Sequence, residues 1–344
     1  MSSNFSHYGI SVLIAFLISF AATPLVRALA LRMGWLDTPA SAIKTHKKAT
    51  PALGGVAIWL GFAGALVMMR FFTHFPSGTL YRLRALLAGG ALVFLLGIAD
   101  DLRKPHGLGW RPKMAVQAAA AALLIYFGIE IRFIHPAYLG VLLSLLWVVG
   151  ICNAFNIVDI MDGLASSQAA TASLALLLIA LPSEEIYVNI GAAALLGAAL
   201  GFLPWNLSSR YKIFMGDSGS LLLGFTLAGL ALGTDFTQIN PLGVYAPILI
   251  LAVPMFDTLY VFVIRLMKGL SPFQGSKDHF ALRLERMGFS RHQIVALCVL
   301  AAAGLSFCAL LVTLVSTPWA ICIYLLVGSA VAVVSWNLTK VDMG

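Results

Sequence analysis

Apolar runs of roughly 17–25 residues recur along the whole of this chain, each long enough to cross about 30 Å of hydrocarbon as a helix. With no water to satisfy exposed N–H and C=O groups, such runs can only be helices or a closed barrel. Length and continuity select helices. Of 344 residues, 60% are hydrophobic and 10% charged, and the mean hydropathy is +0.93. That excludes a soluble globular class. The longest polar stretch, Lys268 to Gln293, is too short for a soluble domain. We expect an all-α polytopic membrane protein, one integral membrane catalytic domain over residues 1–344. Eleven helices are predicted, near 8–31, 53–72, 82–99, 113–130, 138–156, 166–182, 186–204, 216–234, 243–266, 293–315 and 318–336. The four cysteines lie in or beside apolar runs without metal-ligand spacing and read as small buried residues. No basic segment or small-residue cleavage site precedes the first run, which reads as a retained span.

Alternating the connections sorts the basic residues by side. Seventeen of the 22 Lys and Arg fall on one side and four on the other, with Arg27 inside the first helix. This positive-inside bias places the N-terminus outside and the C-terminus in the cytoplasm. Three acidic clusters then share the cytoplasmic side: Asp100–Asp101 in LLGIADDLRK, Asp159 with Asp162 in NAFNIVDIMDGLA, and Asp217 in IFMGDSGSLLLGF. Carboxylates beside membrane spans are costly unless something cationic holds them. A hard divalent metal with a phosphorylated substrate would do so.

Asn153, Asn156, Asp159 and Asp162 recur every three residues, which at helical pitch places them broadly on one face. Their oxygens suit Mg²⁺ or Mn²⁺. Asp217, flanked by glycines, opens an apolar helix; an ordinary N-cap is the plain alternative. The first cytoplasmic connection, LDTPASAIKTHKKATPALGG, concentrates Lys44, His46, Lys47 and Lys48. It reads either as a topology signal or as a contact for phosphate or nucleotide. The last loop has six basic residues, Asp278 and His279, and suits a cover over an anionic substrate. Asp257, two helical turns before Arg265 on one face, is either a paired structural carboxylate or part of the site. A transporter would show repeats and polar breaks at mid-membrane. No repeat is visible, and the carboxylates gather at one face.

In order along the chain, ADDLRK, NAFNIVDIMDGLA and FMGDSGS resemble the polyprenyl-phosphate N-acetylhexosamine-1-phosphate transferase superfamily, from Asp37 to His279. The stretch Lys44-x-His46 to Pro51-x-x-Gly54–Gly55, and Pro254-x-x-Asp257 followed by Arg265, are similar to the GlcNAc-type branch rather than the phospho-N-acetylmuramoyl-pentapeptide transferases, which stay as the alternative. The resemblance implies Asp217 and Asn156 as metal ligands for Mg²⁺ (or Mn²⁺), and Asp100 and Asp101 at the metal or the lipid phosphate. It implies Asp159, counted with the catalytic residues, and Asp162 at the nucleoside and active-site helix, Asn153 as substrate-binding, and Phe214 stacked on uracil. Lys44, His46 and Lys48 would face the nucleotide, and His279 and Arg283 the diphosphate. Where relatives carry His-x-His-His-Arg, His279 and Arg283 remain but Ala281 and Leu282 replace the other histidines. The implied reaction transfers N-acetylhexosamine-1-phosphate from a UDP-sugar to polyprenyl phosphate, beginning a cell-envelope polysaccharide such as O-antigen at the bacterial inner membrane. The partners are a UDP-N-acetylhexosamine, the lipid and the membrane, with no nucleic acid; a homodimer is common among relatives. A CDP-alcohol phosphatidyltransferase shares Asp159-x-x-Asp162-Gly163, but needs Ala-Arg where Ser166–Ser167 stand.

Overall fold

The computed structural model describes residues 2–39, 48–72, 78–104, 106–182, 185–271 and 276–343, with the side chains of residues 2–5 left aside. The chain is a helical bundle. In order it forms α1 (Ser2–Met33), α2 (Gly54–Phe72), α3 (Thr79–Asp101), α4 (Trp110–Tyr126), α5 (Ala137–Val158), α6 (Leu164–Ala180), α7 (Ile186–Asn206) and α8 (Asp217–Gly233). A 3₁₀ turn at Pro241–Tyr245 leads to α9 (Ala246–Ile250), α10 (Ala252–Met267), α11 (Phe280–Arg286), α12 (Arg291–Leu314) and α13 (Thr317–Thr339). Among the described residues, the one departure from all-α is a two-residue antiparallel ribbon, β1 (Leu36–Asp37) with β2 (Thr50–Pro51).

Every predicted helix has a counterpart within a few residues. Among the described residues, 7 helices are long and apolar enough to cross a membrane, or up to 8 if the bent pair is one span. Eleven spans were expected; of the other apolar helices, α4, α6 and α8 have 17 residues each, the lower limit for crossing. The ninth predicted helix, 243–266, is not continuous. It breaks into Pro241–Ile250 and Ala252–Met267, bent by 71°. Pro254 lacks the N–H that a continuous helix would donate to Ile250, and its ring crowds that carbonyl, so the helix restarts at Ala252.

α8 is the centre of the bundle. It is apolar all round and almost wholly buried, as a helix enclosed by other helices must be. It packs on α2, α3, α5, α6 and α7. α1 lies along α7, where Ser19 Oγ donates to the Ala198 carbonyl at 2.8 Å. Small residues and such bonds hold helices together where apolar surface gives no net drive. α13 is the opposite extreme: 6% of its most apolar window is buried, the surface expected of a lipid-facing helix.

Gly97 sets the approach of α3 to α8. A Cβ there would meet the backbone of Ser218 and Asp217, so the two helices touch main chain to main chain. Gly97→Val is expected to cost about 1–3 kcal/mol through overpacking and to lower the thermal unfolding temperature in detergent. An unchanged transition would show that the helices do not approach this closely.

Candidate active site

The C-terminal ends of α3 and α5 and the N-terminal ends of α4 and α8 converge with α10 and the chain before α11 around one cavity of about 850 Å³. Asn153, Asn156, Asp159, Asp162, Phe214, Asp217 and His279 all line it. Sequence positions 126 residues apart thus meet at one place, as the motif order implied. The single-face argument for the Asn/Asp series holds only in part. α5 stops at Val158, and Asp159 (ψ 49) has left the helix. The turn at residues 159–163, rather than helical pitch, brings Asp159 and Asp162 to the wall.

The three acidic clusters are not equivalent. Asp101 is fully withdrawn: its side chain is 0% exposed and accepts the N–H groups of Asp217 and Ser218 at 2.9 and 3.0 Å. It closes the N-terminus of α8, where unpaired N–H groups and the helix dipole favour an anion. Gly216 is in the left-handed region (φ +75°), and a Cβ there would collide with the Asp101 carboxylate. Asp100 is also buried and accepts the Leu108 N–H at 2.5 Å. Neither lines the cavity; both stand in a layer behind the wall, in contact with the lysines that do. Asp217 alone of these three faces inward.

Two lysines stand between the carboxylates. Lys104 Nζ lies 2.8 Å from Asp101 Oδ1 and 3.4 Å from Asp217 Oδ1. Lys113 Nζ lies 2.7 Å from Asp217 Oδ2 and 3.0 Å from Asp100 Oδ1. The order Asp101–Lys104–Asp217–Lys113–Asp100 alternates sign along its length, and both lysines line the cavity. Burial acts to lower the Lys104 ammonium, but Asp217 and Asp101 outweigh it and hold its pKa well above the usual range. Both lysines looked like topology signals in the sequence. Only their distances of three and twelve residues from Asp101 hinted otherwise.

The remaining residues divide likewise. Asn156 Nδ2 donates to Ser220 Oγ at 3.0 Å, which turns its amide oxygen away from that bond. Asn153 Nδ2 donates to Gln117 Oε1 at 2.7 Å, tying α5 to α4. Asp162 is 2.5 Å from Lys212 Nζ, and the same ammonium sits 4.9 Å from the centre of the Phe214 ring. Lys212 was also missed in the sequence, as was Asp37 of β1, another lining residue. Lys48 is exposed and off the wall. The strand that follows it, β2, is tied to the site by Phe214 N–H donating to the Pro51 carbonyl at 2.8 Å. Lys44 and His46 lie outside the described residues.

Arg283 does not touch the cavity. It is buried and donates to the carbonyls of Leu338 and Val341 at 3.0 and 2.7 Å, capping α13, with Asp278 Oδ1 at 3.3 Å. Its expected substrate contact is corrected to a structural one. Asp257 does not pair with Arg265, which donates to the Ser271 carbonyl. Instead Asp257 is 0% exposed and 2.8 Å from His279 Nδ1. Leu282 lines the cavity and Ala281 is buried beside it, so apolar surface occupies the two replaced histidine positions.

Carboxylate, amide and ammonium groups gathered at helix ends in an apolar bundle define a membrane-embedded site for an anionic ligand. A model of glycosyl transferase family 4 matches residues 83–235. The chain is 30% identical over 293 residues to an undecaprenyl-phosphate alpha-N-acetylglucosaminyl 1-phosphate transferase of Escherichia coli K12, covering 81% of this chain and 77% of that protein. It is 32% identical over 320 residues to a decaprenyl-phosphate N-acetylglucosaminephosphotransferase of Mycobacterium tuberculosis H37Rv, covering 84% and 78%. A probable undecaprenyl-phosphate N-acetylglucosaminyl 1-phosphate transferase of Bacillus subtilis is 29% identical over 299 residues, covering 83% and 80%. The chain belongs to this family, within its polyprenyl-phosphate sugar-1-phosphate transferases.

Two expectations follow from the geometry. Asp101→Ala should cost about 2 kcal/mol, the scale of losing charge-assisted bonds to a helix N-terminus, and lower the unfolding temperature. Unaltered unfolding would refute the capping role. Burial pushes the Asp159 carboxyl up from 3.8 to about 7; Lys104 pulls it down, and Asp217, Asp162 and Asp101 add to the rise. The folded state therefore holds a proton that the unfolded chain releases above about pH 4, and rising pH destabilises the fold up to about pH 7. Asp159→Asn removes that penalty. Its gain in unfolding temperature should be larger at about pH 8 than at about pH 5; equal gains would contradict the raised value.

Proposed function

We propose that this protein transfers N-acetylglucosamine-1-phosphate from UDP-GlcNAc to polyprenyl phosphate and releases UMP, opening the synthesis of a cell-envelope polysaccharide. The observation that carries the reading is the joining of two surfaces. Beside the charged wall the cavity is apolar along Leu146, Val149, Gly150, Val261 and Phe262. Past Leu146, Gly150 and Thr258 it meets a smaller hollow of about 160 Å³ lined by Trp147, Ile151, Ala154, Met255 and Leu259. This groove runs between α5 and α10 and suits a hydrocarbon tail, with its phosphate at the lysines. The relatives' names point to the same pairing of lipid phosphate and amino sugar. The positive-inside bias supports a cytoplasmic site at the inner membrane, where a soluble nucleotide sugar meets a lipid head group.

Asp217 and Asn156 present hard oxygens on facing helix ends, which fits Mg²⁺. That ion is held through one or two carboxylates plus substrate phosphates more often than in an all-protein cage. Among the described residues no group of three or more His, Cys, Asp or Glu could hold a metal, so the diphosphate must complete the set. When bound, Mg²⁺ would neutralise charge on the diphosphate and orient it. An oxygen of the lipid phosphate attacks the sugar-bearing phosphorus; the bond from that phosphorus to the bridging oxygen breaks, and UMP leaves with the electron pair. A phosphomonoester is mostly dianionic near pH 7, so it needs little help from a base. Asp100, withdrawn behind Lys113, serves to hold that lysine at the anion. Lys104 and Lys113 supply positive charge where the phosphates sit. Asp162 and Phe214 receive the nucleoside once Lys212 moves from the ring.

Purified protein should release UMP from UDP-GlcNAc only when polyprenyl phosphate is added. Zero release across a panel of UDP-sugars would overturn the function. EDTA should stop turnover and Mg²⁺ restore it; activity that persists in chelator would remove the metal. Asp217→Asn should abolish turnover in a protein that remains folded, and near-normal rates would remove Asp217 from the centre.

A further inference from the structure

The capping chain before α11 carries a feature that the metal and lysine chemistry does not use. Asp257, on α10, is completely buried, although a carboxylate away from water is costly unless its oxygens are satisfied. Here both are. Oδ2 is 2.8 Å from His279 Nδ1, and Oδ1 accepts the Phe280 N–H at 3.1 Å. The contact is reinforced by the Phe256 and Phe280 rings, 5.7 Å apart and edge to face. His279 itself is 7% exposed, and what remains open faces the cavity. A carboxylate only accepts, so it fixes the proton on Nδ1 and leaves Nε2 as the ring atom available to the cavity.

We propose that Asp257 is a positioning residue for His279. It bonds the ring at Nδ1 through Oδ2 while the Phe280 N–H fixes Oδ1, keeps a proton on Nδ1, and aims Nε2 at the phosphate-bearing part of the cavity. With both ring nitrogens protonated, Nε2–H donates a charge-assisted bond to an anionic phosphate oxygen. The pairing follows the general rule that the partner of one imidazole nitrogen determines what the other can do. The phosphate contact rests on the transferase reading above; the ring geometry does not.

The experiment therefore has two arms. Full-length protein labelled with ¹⁵N-histidine in detergent, without substrate, reports the imidazole nitrogens; the His279 signals are those lost in His279→Ala. Wild type should show Nδ1 protonated. Asp257→Asn is nearly isosteric. Its Oδ1 can still accept from Phe280 while its Nδ2 donates to Nδ1, so the proton should move to Nε2. An unchanged His279 pattern in this variant overturns the proposal. In the kinetic arm, Asp257→Asn and Asp257→Ala should raise KM for UDP-GlcNAc about 10- to 100-fold, the scale of one charge-assisted hydrogen bond, with a smaller change in kcat. In the His279→Ala background, Asp257→Ala should add little. An equal further loss there would mean that Asp257 acts independently of His279, and the proposal falls. If wild type releases no UMP from any UDP-sugar, the transferase reading fails, while the nitrogen shifts still decide the pairing.

Discussion

The contact between the Asp101 carboxylate and the first N–H groups of α8 determines the rest of the site. It is a charge in an apolar bundle, tolerable because two backbone donors and Lys104 surround it. Because α3 ends there and α8 begins there, it fixes the most buried helix of the bundle against the strand of chemistry that follows. Gly97 and Gly216 make the approach possible by having no side chain where the two elements meet. Asp217, one residue into α8, then faces the cavity as a consequence of that docking.

The cavity has two characters in a single space, a charged wall and an apolar groove, and this duality favours a substrate pair that is half water-soluble and half lipid. Neither a transporter nor a passive scaffold calls for it. The single broken helix, α9–α10, could have suggested transport. The helix that restarts after the break, however, brings Thr258, Val261 and Phe262 to the cavity wall.

Much of the fold was legible because hydrocarbon allows few solutions: an apolar run of sufficient length becomes a helix, and its ends follow. The break at Pro254 was legible in principle but was outweighed by the continuous apolar pattern around it. In the site, Asp217, Asn156 and Phe214 could be picked out from the motifs that carry them, and all three line the cavity. Asp100 and Asp101 could not be told apart, since their difference is one of burial. Arg283 misled because its partners are main-chain carbonyls 55 and 58 residues away, which carry no sequence signature. Lys104, Lys113 and Lys212 were hidden among residues that membrane topology already explained.

The alternation of three carboxylates with two ammoniums has a thermodynamic consequence. Each arriving charge must break contacts that the protein already makes with itself. A cation alone must compete with Lys104 and Lys113 for Asp217, and an anion alone must draw those lysines from their carboxylates. Arriving together, the anion takes the lysines as the cation takes the aspartate, and each lowers the cost of the other's entry. Such coupling is reciprocal by necessity. Under the proposed reaction, such a site would admit metal and nucleotide together more readily than either alone.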